Sequence, residues 1–263
     1  MPPNTTEISN QSSMASECPK CLNKGRYLVT DENGYEYAKE CECGVLRRQI
    51  MANRLRFANL PESLRDVRLN SFSVSVYRKD KQTIRNACNA IKYWLDHFEE
   101  MKERGMGLYL FSEEKGSGKT RMAASIANEL IHEKKVMVKF ATSMQIISEI
   151  KSSWNKEHGV SESLLLDQLV TTEVLFVDDF GTEKATDWIG EKFYSIINGR
   201  YVDKKITIFT SNMSLNDLKY DERITNRIKE RNYLIPFPEE SIREYIAEHN
   251  KAEILGGGLR KER

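Results

Sequence analysis

No charge of one sign dominates this sequence: forty Lys and Arg stand against thirty-nine Asp and Glu. That balance excludes a global basic field, so any contact with nucleic acid must use local patches. No apolar run is long enough to span a bilayer. Residues 1–16, rich in Asn, Ser, Thr and Gln, lack the basic start and apolar stretch of a signal peptide. A soluble, cytoplasmic protein with no membrane partner is therefore expected. The same sixteen residues carry too few apolar side chains to offset the entropy of ordering them, so disorder is expected there. No internal repeat is present.

What is present suffices for one good core and a small accessory domain: 263 residues, 40% of them hydrophobic. From Val45 to Phe57, Arg47, Arg48, Arg54 and Arg56 intersperse with apolar residues at helical spacing, giving a helix with a basic face. Leu60-Pro61 marks a break, and a second long helix is expected over Lys79–Lys102. From Gly107 onward, apolar runs of strand length alternate with amphipathic stretches, the pattern of a parallel sheet with crossover helices. Strands are expected at 108–111, 136–140, 174–178, 206–210 and 233–237. Helices are expected at 120–133, 143–155, 161–170, 188–201 and 223–229, which makes a three-layer α/β domain. The Gly256-Gly257-Gly258 stretch with Arg260, Lys261 and Arg263 reads as a flexible end. The expected divisions are 1–16, 17–59, 60–250 and 251–263.

The chemistry concentrates where the first strand of the sheet meets its helix. In LYLFSEEKGSGKT, Gly116, Ser117 and Gly118 form a turn whose N–H groups can face phosphate. Lys119 can reach the β and γ phosphates, and Thr120 can ligate Mg²⁺. Glu113 stands where the phosphate-loop pattern has its first glycine, so strain, repulsion toward the γ phosphate and weakened affinity are expected. A second half of the site follows. The apolar run Val174–Val177 delivers Asp178 and Asp179 to the C-terminal end of a buried strand, where open α/β sheets put their ligands. Asp178 would hold Mg²⁺ through water, and Asp179 sits where a base would polarise the attacking water, with less reach than a glutamate. A third strand ends at Asn212, an uncharged group able to hold water or the γ phosphate. Arg223 and Arg227 lie four apart, on one face of a short helix.

Cys18-x-x-Cys21 and Cys41-x-Cys43 supply four thiolates around a segment with a hairpin signal at Asn33-Gly34. The set suits a structural Zn²⁺ in a zinc ribbon, and too little core surrounds it for the ribbon to hold without metal. Cys88 falls on an apolar helix face and reads as core.

From about Leu60 to Ile246 the chain resembles the DnaC and DnaI family of bacterial and phage replicative helicase loaders, through GSGKT, VLFVDDFGTE, TIFTSN and ERITNRI in that order. The transposition-helper ATPases of the IstB type share the combination. The resemblance implies that the α/β domain with its five-stranded parallel sheet is a P-loop AAA+ ATPase domain without a C-terminal helical lid, and the cysteine segment places a zinc-ribbon-like N-terminal domain before it. It further implies Asn212 as sensor 1, Arg227 as an arginine finger acting on a neighbouring subunit's site with Arg223 in support, and Arg243 as sensor 2. Lys151, Trp154, Thr186 and Trp188 match positions that face single-stranded DNA in the family. By spacing alone the two tryptophans fit core or rim aromatics equally well. The implied partners are a hexameric helicase, contacted through the N-terminal part, single-stranded DNA, and further copies of this chain through the ATP site. Two alternatives stay open: a low-turnover adaptor or inhibitor of the helicase, and an IstB-type helper acting with a transposase on duplex DNA.

Overall fold

The computed structural model describes residues 18–154, 161–184 and 186–258, so the expected disorder of residues 1–16 lies outside it. The chain divides into two compact units between Asn53 and Arg54, six residues before the expected boundary. In the first unit, strands β1 (Arg26–Thr30) and β2 (Glu36–Glu40) pair antiparallel, with Thr30 opposite Glu36. The connecting turn is drawn together by Asp31, whose carboxylate accepts from the N–H groups of Asn33 and Tyr35. Helix α1 (Val45–Ala58) follows.

The second unit opens with three short 3₁₀ turns between Glu62 and Val76. The single helix expected over 79–102 is two: α2 (Lys81–Asp96) and α3 (Phe98–Arg104). The chain kinks at His97, whose Nδ1 lies 2.9 Å from the Tyr93 carbonyl and whose ring stacks on Tyr93. Both Trp94 and Phe98, on either side of the kink, are buried and meet edge to face.

The sheet then follows: β3 (Gly107–Phe111), α4 (Lys119–His132), β4 (Val138–Thr142), α5 (Ser143–Ser152), α6 (Glu162–Thr171), β5 (Val174–Asp178), α7 (Asp187–Val202), β6 (Ile206–Ser211), α8 (Glu222–Arg231), β7 (Asn232–Pro236) and α9 (Ile242–Gly258). Most bounds fall within two residues of expectation. Helix α5 stops earlier, at Ser152, and α9 runs on to Gly258 through residues expected to be a flexible end; residues 259–263 lie outside the described part. Side-chain caps start α2, α5, α6, α7 and α8: Asp80, Thr142, Ser161, Thr186 and Asp221 each accept a first-turn N–H.

All five strands are parallel, in the order β4-β5-β6-β3-β7. Alternate residues serve opposite faces. Tyr109, Leu175, Val177 and Phe209 join Ile146, Ile150, Leu169, Phe193, Ile196, Ile224 and Ile228 in one core beneath α5–α8. Helix α4 lies against the sheet through a wall of buried Met122, Ala123, Ile126, Ala127 and Leu130. Each fully buried large apolar side chain contributes about 1.5–3 kcal/mol. Between β3 and β5 the topology inserts β6, so three strand ends deliver their loops to one edge of the sheet. Among the described residues no helix is long and apolar enough to cross a membrane.

Candidate functional site

The loop from β3 to α4 turns on Gly116 and Gly118, at φ +85° and +95°. A side chain at Gly118 would strike the Tyr77 hydroxyl, and one at Gly116 would press on Arg243 and Ser241. Glycine is thus required twice over, for conformation and for close approach. Lys119 is buried, and its ammonium donates to the carbonyls of Ser112 (3.1 Å) and Glu114 (3.0 Å) and to Ser117 Oγ (3.1 Å). Burial pulls its pKa below that of an ordinary lysine, against the nearby carboxylates of Glu239, Asp179, Asp178 and Glu114.

Thr120, on the first turn of α4, donates its hydroxyl to Asp178 Oδ1 at 3.0 Å, across from β3 to β5. Thr210, from the intervening β6, donates to the same oxygen at 2.5 Å and accepts the Asp179 N–H at 2.9 Å. Burial raises the Asp178 carboxyl above the usual range, and the Thr210 hydroxyl opposes that. Asp179 sits at φ +53°, a left-handed conformation that aspartate tolerates better than most residues. With Gly118, Lys119, Asn212, Ile242 and Arg243 it lines a cleft of about 460 Å³.

The structure therefore gathers Gly116, Ser117, Gly118, Lys119, Thr120, Asp179, Asn212 and Arg243 around one space, with Asp178 bonded to it through Thr120. Glu113 differs from expectation. Its backbone is not left-handed, its side chain is exposed, and it does not line the cleft, so the expected strain has no site. Its N–H and that of Glu114 donate to the Glu239 carboxylate, at 3.1 and 2.8 Å. Arg227 stands away from this cleft on α8. Its Nε donates to Asn198 Oδ1 at 2.9 Å and its guanidinium lies over the rings of Tyr194 (5.1 Å) and Tyr201 (5.5 Å). Arg223 is paired with Asp221 and covers Tyr194 at 4.7 Å.

Lys151, Trp154 and Trp188 form a second constellation, whereas Thr186 lines a separate pocket with Tyr194, Tyr220 and Arg223. Trp154 and Trp188 meet edge to face at 5.3 Å, and the Lys151 ammonium lies 5.5 Å from the Trp188 ring centre. Trp154 is 54% exposed and donates to Glu162, whereas Trp188 is packed against the core. Thr186 caps α7.

In the N-terminal unit the four sulfurs of Cys18, Cys21, Cys41 and Cys43 all lie within 4.8 Å of one another. The Cys18–Cys41 and Cys21–Cys43 separations are 3.7 and 3.6 Å. Tetrahedral zinc with Zn–S of about 2.3 Å places its sulfurs about 3.8 Å apart, so the set fits that ion and could hold it. Cys88 is partly buried on α2 of the second unit.

Several participants had no motif to announce them. Tyr77 braces the loop by donating to the Ser117 carbonyl at 2.7 Å, and Ile242 and Ile246 of α9 supply an apolar wall to the cleft. Thr210, inside TIFTSN, was within sight but reads as an ordinary strand residue.

The family model described as IstB-like ATP binding protein matches residues 38–233. The chain is 27% identical over 220 residues to the phage-like element PBSX protein XkdC of Bacillus subtilis, covering 81% of this chain and 79% of that one. It is 35% identical over 118 residues to the replicative helicase loader DnaI of the same organism, covering 44% of this chain and 36% of DnaI. Among solved structures it resembles the DnaC helicase loader (TM-score 0.59, 24% identity, 68% of this chain and 100% of that one). It also resembles DnaI (TM-score 0.56, 25% identity, 68% and 95%).

Proposed function

The chain belongs to the family of IstB-like ATP binding proteins, and from that premise we propose that it is an ATP-dependent loader that binds a replicative hexameric helicase and helps deposit it on single-stranded DNA. The observation that carries the reading is the convergence of Lys119, Thr120, Asp178, Asp179, Asn212 and Arg243 on the ends of three neighbouring strands. Relatives named replicative helicase loaders support the rest.

Bound Mg²⁺·ATP would supply the phosphoryl group and the metal charge that polarises it. Lys119 brings a fixed positive charge, already desolvated, to the phosphates. Thr120 and Asp178, joined by a hydrogen bond, are the oxygen pair that would hold Mg²⁺. Asp179 and Asn212 orient water on the open side, and Arg243 closes the cleft from α9. Arg227 is held on the surface of α7 and α8 by Asn198 and two tyrosines, where it would serve the cleft of a second copy. The tryptophan pair with Lys151 offers a stacking surface and a cation to a single strand. The four cysteines would hold Zn²⁺ and so fix the hairpin that docks on the helicase. On this reading the protein works in the cytoplasm. Asp179, shorter than glutamate, favours slow turnover, and an adaptor or inhibitor with the same partners is the second reading.

The test uses two variants. Lys119→Ala should lose ATP binding or turnover. Arg227→Ala should bind ATP nearly normally yet lose assembly-stimulated hydrolysis by about a thousandfold. Mixed, the two should recover activity at interfaces where an intact Arg227 faces an intact Lys119. Continued inactivity in demonstrable mixed assemblies would refute the role in trans, and unchanged ATPase in Lys119→Ala would refute the site.

A further inference from the structure

Glu183 is a buried carboxylate three residues beyond the Asp179-Phe180 pair, and it touches three elements. Its Oε1 accepts the Gly181 N–H at 3.1 Å and the Tyr220 hydroxyl; its Oε2 accepts the Ser143 hydroxyl at 2.5 Å. Ser143 is the first residue of α5, the helix that carries Lys151. Tyr220 immediately precedes Asp221, the cap of α8, and its ring stacks flat on Phe180 at 5.0 Å. Burial and the neighbouring Glu183 push the Tyr220 hydroxyl well above its ordinary range, so it stays a donor.

The Ser143 hydroxyl has one hydrogen and two acceptors within reach, Glu183 Oε2 and the Asp179 carbonyl at 3.1 Å. That carbonyl already receives the Thr182 N–H (3.3 Å) and hydroxyl (2.8 Å), so its two lone pairs are occupied. The hydrogen therefore belongs to the charged acceptor in this conformation. Any movement of the left-handed Asp179 turn that frees its carbonyl offers Ser143 the alternative bond. One proton with two destinations is a discrete choice rather than a graded one.

We propose that Glu183 is a positioning residue that ties the Asp179 turn to the start of α5 and to the approach to α8, so that occupancy of the cleft is read at the tryptophan surface and at the arginine surface together. The proposal rests on the nucleotide reading of the cleft. Glu183→Gln is close to isosteric, and its NH₂ facing Ser143 would force the hydroxyl to donate to Asp179, fixing the choice. Ser143→Ala removes the choice altogether.

The test is tryptophan emission of the full chain on saturation with Mg²⁺ and ATP, with Trp154→Phe isolating the contribution of Trp154. ATP affinity is measured separately by displacement of a fluorescent analogue. The wild type should change its emission; Glu183→Gln and Ser143→Ala should bind ATP within about threefold of wild type yet lose most of the change, a split that loss of folding would not produce. Should Glu183→Gln not fold, Ser143→Ala and Tyr220→Phe carry the same comparison. An undiminished change in these variants, or no change in a wild type that binds ATP, overturns the coupling. A wild type that binds no ATP overturns the nucleotide reading itself, and the coupling falls with it.

Discussion

Glu113 stands at the entrance to the turn between β3 and α4, with its side chain exposed. By pattern it replaces a glycine, and a glycine at that place suggests a conformation that other residues resist. The backbone at 113 needs no such freedom, because Glu239 reaches across from the segment after β7 and takes the N–H groups of Glu113 and Glu114. Glu113→Gly should therefore change ATP affinity by no more than about twofold, since neither strain nor a phosphate contact is removed. Isothermal titration of the two proteins would check this, and a gain of tenfold or more would restore the repulsion argument. The meeting of Lys119, Thr120, Asp178 and Asp179 was legible because the glycine turn after one strand and the acidic pair after another both fall at the C-terminal edge of a parallel sheet. Glu239, Glu183 and Thr210 were not. Each acts by holding backbone or a charged neighbour, work that any carboxylate or hydroxyl can do and that leaves no spacing to recognise.

At the scale of elements, five of the eight helices that follow Pro61 begin at a side-chain cap, which is why their starts were readable to within about two residues. The kink at His97 was not, because the apolar spacing runs through it unbroken. The joint between α6, α7 and β6 depends on one buried side chain, Arg200. Its guanidinium donates to the carbonyls of Leu169 and Thr172 at 2.7 Å each, to Val170 and Ile206, and to Thr207 Oγ1 at 2.9 Å. Three of those carbonyls close the C-terminus of α6, where the helix dipole welcomes a cation. Arg200→Met keeps volume but leaves several buried acceptors unpaired, at about 1–3 kcal/mol each. A total loss of about 3–5 kcal/mol is expected from urea unfolding. A loss under about 1 kcal/mol would mean that water takes over those carbonyls.

For the whole molecule, the division at Asn53–Arg54 separates a unit that would depend on metal from one that buries its own core. Chelation, or Cys18→Ser, should abolish the folding of residues 18–43 while ATP binding by the second unit persists, and purified protein should carry about one zinc per chain. An N-terminal unit that stays folded without metal would refute the ribbon. The parallel sheet and its five strands were foreseeable because apolar runs of strand length alternate with amphipathic helices, the central β3, β5 and β6 being covered on both faces. Their order was not, since an apolar run says that a strand is covered but not which strand lies beside it. That order has a consequence for synthesis. Leu108, in the strand that carries the phosphate loop, has Ile208 and Tyr233 as its neighbours, both far toward the end of the chain. While the ribosome is still making residues before Ile206, β3 has helix α4 to lie against but no strand partner on either side. Contacts so distant in sequence form late. The strand beneath the Gly116–Gly118 turn is therefore completed on both sides only once β6 and β7 have been made, so the cleft takes its final form after the residues that line its floor.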